Sequence, residues 1–104
     1  MSEHLIYMTA SSEAEANAIC KELVQRRLAA CANILGRTKS FFWWEGEIQS
    51  DSEIAVILKT SSKKVDALIN AAKNLHSYDC PCVVAINIEY GNPDFLNWIS
   101  KETS

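Results

Sequence analysis

The sequence predicts an α+β fold: four strands and two helices in the order β-α-β-β-α-β, followed by an added C-terminal helix. Three observations lead there. Two stretches with helical apolar spacing flank a central pair of strand-like segments, and two further strand-like segments lie outside them. Glycine and proline are scarce, three and two in 104 residues, with no linker, repeat or low-complexity block. That length suits one hydrophobic core, so residues 1–104 read as a single domain.

The elements follow in order. Leu5 to Thr9 is a short, mostly apolar strand, the pattern of a segment covered on both faces. Ser12 and Glu15 have the spacing of a capping box, in which each side chain satisfies a backbone N–H at a helix start. Behind them Ala16, Ile19, Cys20, Leu23 and Val24 form one apolar stripe, and Arg26 and Arg27 suit the carboxyl end of the helix dipole. Cys31 to Ile34 is strand-like, is interrupted at Gly36, and resumes from Ser40 to Ile48, where Gly46 suggests a bulge. The polar stretch Gln49 to Ser52 reads as a hairpin turn into a strand from Ile54 to Lys59. Val65, Leu68, Ile69 and Ala72 mark the second helix, with Thr60, Ser61 or Ser62 as its cap and an end near His76. Val83 to Tyr90 is the fourth strand. Asn92, Pro93 and Asp94 then start a helix by cap, N1 proline and first-turn acid, with Phe95, Trp98 and Ile99 as its apolar face. This is a ferredoxin-like order, with both crossover helices on one face of the sheet.

That arrangement leaves the other sheet face bare, and the run Phe41, Phe42, Trp43, Trp44 needs cover for both of its faces. Self-association is the economical answer, one face serving the chain's own helices and the other a neighbouring copy. A formal charge of −3 without a Lys/Arg cluster argues against nucleic acid or an anionic membrane as the main partner. The N-terminus lacks the pattern of a signal peptide and no apolar run is long enough for a membrane span. The expectation is a cytoplasmic protein in which Cys20, Cys31, Cys80 and Cys82 are reduced thiols, Cys20 and Cys31 as core residues.

Several segments resemble the CutA1 family of divalent cation tolerance proteins: Ala29 to Ile34; Ser40 to Gly46, similar to S-x-Y-W-W-E-G; Leu58, Lys59 and Thr60; His76, Tyr78 and Pro81 of an H-P-Y-E-x-P segment; and Gly91 to Ile99. The resemblance covers nearly the whole chain. It implies a PII-like homotrimer with neighbouring strands joined at their edges, Phe41, Phe42, Trp43 and Trp44 at the interface, and a role in tolerance to divalent cations, copper above all. It brings no firm enzymatic reaction, and the sequence shows no nucleophile beside an evident base. The expectation is therefore a protein that is not an enzyme.

Copper binding, where the family shows it, combines a first-strand Cys with two adjacent His. This chain has Met8, Leu75 and His76 at those positions, so one ligand in three is kept and one is replaced by another soft donor. Cys80 and Cys82, at positions the family usually fills with apolar and acidic residues, add two thiols that would share a face in an extended strand. The candidate metal set is thus His76, Met8, Cys80 and Cys82. A second reading is an intersubunit cleft for a small molecule or anion, built from Trp44, Glu45, Lys59, His76, Tyr78 and Asp79, where Ser77 replaces a proline and Asp79 a glutamate. Against it stands an exposed Glu45–Lys59 ion pair with purely packing aromatics. A third is a trimeric protein-interaction scaffold.

Overall fold

The computed structural model describes residues 2–104. Eight elements follow one another: β1 (Glu3–Ala10), α1 (Glu13–Gln25), β2 (Cys31–Trp44), β3 (Glu47–Ser61), a 3-10 turn (Ser62–Lys64), α2 (Val65–Leu75), β4 (Val83–Ile88) and α3 (Pro93–Glu102). The strands form one antiparallel sheet in the order β2-β3-β1-β4, which is the ferredoxin-like topology with a helix added.

Strand alternation divides the sheet into two unlike faces. Ile6, Met8 and Ala10 of β1 and Ile54, Val56 and Leu58 of β3 point to the helices, where they meet Ala16, Ile19, Cys20 and Leu23 of α1 and Leu68, Ala71 and Ala72 of α2. Cys20 lies in this core at 5% exposure, and burial pushes its thiol up to about 11. Cys31 is half-buried. The opposite face carries Leu5, Tyr7, Ile57, Val84 and Ile86, which pair across β1, β3 and β4. Val84 and Ile86 remain 48% and 55% exposed while Leu5, Tyr7 and Ile57 are half-buried, so this apolar surface is only partly covered in the single chain.

The central hairpin differs from its expected form. β2 is continuous; at Gly36, with φ +117°, the pairing steps from Ile34–Val56 to Gly36–Ala55, leaving Leu35 as the extra residue of a bulge. The chain reverses not at 49–52 but at Glu45 and Gly46, between the paired Trp44 and Glu47. Both turn residues have positive φ, 51° and 81°, the type I′ pattern whose twist matches the flanking strands. A non-glycine residue is strained there, and Asn tolerates that region better than Glu. Glu45→Asn is accordingly expected to raise stability by about 0.5–1 kcal/mol, read as a shift in the urea midpoint.

β1 reaches only to Ile54 on β3, so residues beyond it form a two-stranded arm with no third strand. The molecule measures 44 × 25 × 22 Å, and a fifteen-residue strand of roughly 45 Å accounts for its long axis. The arm also changes the expected covering of the aromatic run. Phe41 and Trp43 are 70% and 72% exposed on one face, beside Ile48, while Phe42 and Trp44 lie on the other at 39% and 47%. The chain's own helices bury neither face, because the arm projects past them.

Helix ends show where short polar side chains are used. Ser12 caps α1 by accepting the Glu15 N–H at 3.1 Å, but Glu15 bonds Ser11 rather than Ser12, so the capping box is only half made. Arg26 is the C-cap, and Arg27, left-handed at φ 57°, reaches Glu102 of α3 at 2.8 Å. None of Thr60, Ser61 and Ser62 caps α2, whose start is the 3-10 turn. Each is engaged elsewhere: Thr60 donates to the Leu28 carbonyl at 2.7 Å, Ser61 accepts from Thr103 at 2.8 Å, and Ser62 donates to the Ser2 carbonyl at 2.7 Å. β4 ends at Ile88 rather than Tyr90. α3 starts as expected, Asn92 accepting the Asp94 N–H with Pro93 next, but of its apolar residues only Ile99 is buried; Phe95 and Trp98 stack on each other at 5.5 Å, both partly exposed. No helix among the described residues is long and apolar enough to cross a membrane.

Candidate functional site

A cleft of about 560 Å³ opens between the arm and the loop joining α2 to β4. The arm contributes an aromatic wall, Phe42, Trp43 and Trp44, and two acids, Asp51 and Glu53. Phe42 and Trp44 share a face with Asp51 and Glu53, because their register partners, Gln49 and Glu47, alternate in step with those acids. The loop contributes Tyr78, Asp79, Cys80 and Cys82.

That loop is held by His76 and Glu15. The His76 side chain is fully buried, its Nε2 2.8 Å from the Thr9 carbonyl and its Nδ1 3.1 Å from the Tyr78 amide. A carbonyl can only accept and an amide N–H can only donate, so Nε2 carries the proton and Nδ1 is the acceptor. Neither nitrogen is free. Its ring lies 4.7 Å from that of Tyr78. Glu15 links the start of α1 to the same loop: Oε1 accepts the Ser11 N–H at 3.0 Å and hydroxyl at 2.8 Å, and Oε2 accepts the Ser77 N–H at 2.9 Å. Burial alone would raise the Glu15 carboxyl, but the hydrogen bonds from Ser11 and Ser77 outweigh it and hold the group at about 2.

The cleft is acidic. Asp51, Glu53 and Asp79 line it and no Lys, Arg or His does. Tyr78 reports the same field: burial, then its hydroxyl's hydrogen bond to the Glu53 carboxylate and that group's charge, then the charges of Asp51 and Glu15, push its hydroxyl up to about 12. Burial followed by Glu53 also raises the Cys82 thiol.

The residues expected from sequence are thus partly assembled. Trp44, Tyr78 and Asp79 meet in the cleft, with Cys80 and Cys82 on its wall. Those two cysteines are exposed and precede β4, so they share the cleft through the loop's path and not through strand alternation. Met8 is fully buried in the core, and His76 has both ring nitrogens engaged, so the structure does not gather the four candidate metal ligands. Among the described residues no three His, Cys, Asp or Glu side chains converge as metal ligands. Glu45 sits in the turn at the arm's tip, and Lys59, near the other end of β3, donates to Asn33 Oδ1. They line no part of the cleft and form no pair with each other. Asp51 and Glu53 are the additions; a turn placed at 49–52 hides them, whereas their i, i+2 spacing opposite Phe42 and Trp44 reveals them once the turn moves to 45–46.

Comparison with known proteins gives a consistent result. The family model described as CutA1 divalent ion tolerance protein matches residues 4–102. A relative from Archaeoglobus fulgidus, the divalent-cation tolerance protein CutA, is 48% identical over 98 residues, covering 94% of this chain and 95% of its own. The solved structure of CutA from that organism, described as periplasmic, superposes with a TM-score of 0.94 at 46% identity, covering 98% of this chain and 99% of the other. CutA from Xylella fastidiosa superposes at 0.96 with 35% identity over the whole of both chains.

Proposed function

The chain belongs to the CutA1 divalent ion tolerance family, and we propose that it acts in the response to divalent cations as a homotrimer that binds copper, as Cu(I), through Cys80 and Cys82. Two exposed thiols on one acidic cleft wall carry this reading. Soft thiolates select Cu(I), whose low coordination number two sulfurs can meet; Cu(II), which prefers four nitrogen and oxygen donors in a plane, finds no such set here. The protein binds and does not turn over a substrate. Its place is the cytoplasm, where its four unpaired cysteines stay reduced. Trimer formation would cover the bare face of Leu5, Tyr7, Ile57, Val84 and Ile86, and pair the two free sheet edges, β2 and β4. It would also set the arm residues Phe41, Phe42, Trp43 and Trp44 against a neighbouring subunit, Phe42 and Trp44 still facing the cleft, which would then lie between subunits.

Copper must displace the thiol protons, and the raised Cys82 thiol makes that harder at low pH. Cu(I) affinity is therefore expected to rise between pH 6 and 9, read by competition with a chromophoric Cu(I) chelator under reducing conditions. Replacing Cys80 and Cys82 by Ser together is expected to weaken binding at least tenfold, of the order seen on loss of metal ligands or their supports. Unchanged stoichiometry and affinity would sink the assignment. A second reading, a small-molecule site, is favoured by the size and the aromatic wall of the cleft. Its acidic lining disfavours an anion as that molecule.

A further inference from the structure

We propose that the cleft between the arm and the 77–82 loop is a site for an alkylammonium cation, held between the Phe42 and Trp44 rings and the Asp51, Glu53 and Asp79 carboxylates. The proposal rests on the reading of this cleft as a small-molecule site and names the chemical class of its ligand.

Three observations converge on it. The volume, 560 Å³, has room for a small organic molecule. The charge lining it is all of one sign, with no basic side chain to offset three acids. A cation is drawn in, a neutral molecule of the same shape gains nothing from the field, and an anion is repelled. Aromatic faces stand on the same side of the arm as two of those acids, so a cation meets ring quadrupoles and carboxylates together. Hard cations such as calcium or magnesium, unlike the two-thiolate Cu(I) proposed above, ask for a different arrangement, several oxygen donors converging on one point. The described residues hold no such trio of His, Cys, Asp and Glu. Charge spread over methyl or methylene groups needs no cage of lone pairs, and it suits acids distributed along a wall. Alternation places Asp51 and Glu53 roughly 7 Å apart on one face, about the width of a substituted ammonium group.

Tyr78 adds a neutral hydroxyl. It is kept protonated to about 12 by burial and by Glu53, so it remains a hydrogen-bonding group of the wall at any ordinary pH. Glu15 contributes further negative charge from behind the loop, through the Ser77 amide it holds.

The test uses three molecules of one shape: choline, its neutral isostere 3,3-dimethylbutan-1-ol, and the anion 3,3-dimethylbutanoate. Each is titrated into the intact protein, followed by tryptophan fluorescence and calorimetry. Choline is expected to bind at least about tenfold more tightly than the alcohol, with no binding by the anion. Its affinity should fall several-fold from 50 to 500 mM salt, as exposed charges are screened. Asp51→Asn, at an exposed position, and Trp44→Leu are each expected to lower choline affinity about tenfold while far-ultraviolet circular dichroism stays unchanged. Equal binding of choline and the alcohol, or tighter binding of the anion, would overturn the cation assignment and leave the small-molecule site standing. If none of the three binds, the site and the assignment fall together.

Discussion

Replacing Glu15 by Ala is expected to lower stability by about 2 kcal/mol at pH 7, and the loss should shrink toward zero as the pH falls to 2. Its carboxylate accepts three hydrogen bonds from Ser11 and Ser77 and is only 14% exposed, so truncation leaves those donors to partly shielded water. The folded-state value near 2 lies below the ordinary 4.5, so folding favours the ionised form. A depressed carboxylate contributes its stability fully above the unfolded value and loses it as the pH falls through the folded one. The window is therefore pH 4.5 down to 2. Urea midpoints of the two proteins should differ most at neutral pH and converge below about pH 3. A constant gap across that range would mean that Glu15 acts by packing alone. The same variant frees the Ser77 amide, which carries the start of the cleft loop, so Cu(I) affinity should fall although Cys80 and Cys82 are untouched.

The fold was legible where periodicity was strong. The α1 stripe from Ala16 to Leu23 and the Asn92–Pro93 start of α3 stand as the pattern implies, because burial and capping act within a few residues. The hairpin was less so. Glu45–Gly46 is a two-residue turn that needs two positive φ values, and Glu at the first position disguises it, whereas the polar run Gln49 to Ser52 imitates a turn while lying in a solvated strand. One misplaced turn then hid two of the three cleft acids. Ser62 likewise looks like a cap in sequence, but its hydroxyl is engaged by a partner 60 residues away. Long-range pairing of that kind leaves no local trace. His76 was legible as a residue that matters and not as a ligand, since only the structure shows Thr9 and Tyr78 occupying its two nitrogens.

Ile86→Glu is expected to abolish the proposed self-association, giving the mass of one 11.6 kDa chain where a trimeric parent would give three times that. Ile86 lies on edge strand β4, paired with Leu5 and close to Tyr7 and Val84 on the face away from the helices. In the free chain it is 55% exposed, so a glutamate there disturbs little internal packing and the monomer should remain folded. In an assembly that covers this face, each copy would bury a carboxylate among apolar side chains with nothing to pair it. The cost is several kcal/mol per site, repeated in every subunit, and it far exceeds the roughly 2 kcal/mol expected for truncating a buried aromatic such as Trp43 to Ala. The two variants therefore separate two surfaces. If both the sheet face and the arm lie between subunits, Ile86→Glu should give monomer at every accessible concentration, and Trp43→Ala should raise the concentration at which trimer forms. Ile86→Val keeps the surface apolar and should sediment as the parent does. A folded Ile86→Glu protein that remains trimeric would show that the bare face lies outside the contact, and assembly would then rest on the arm and the strand edges alone. A parent protein that sediments as a monomer at micromolar concentration would remove the trimer altogether, leaving the cleft as a site that one chain completes.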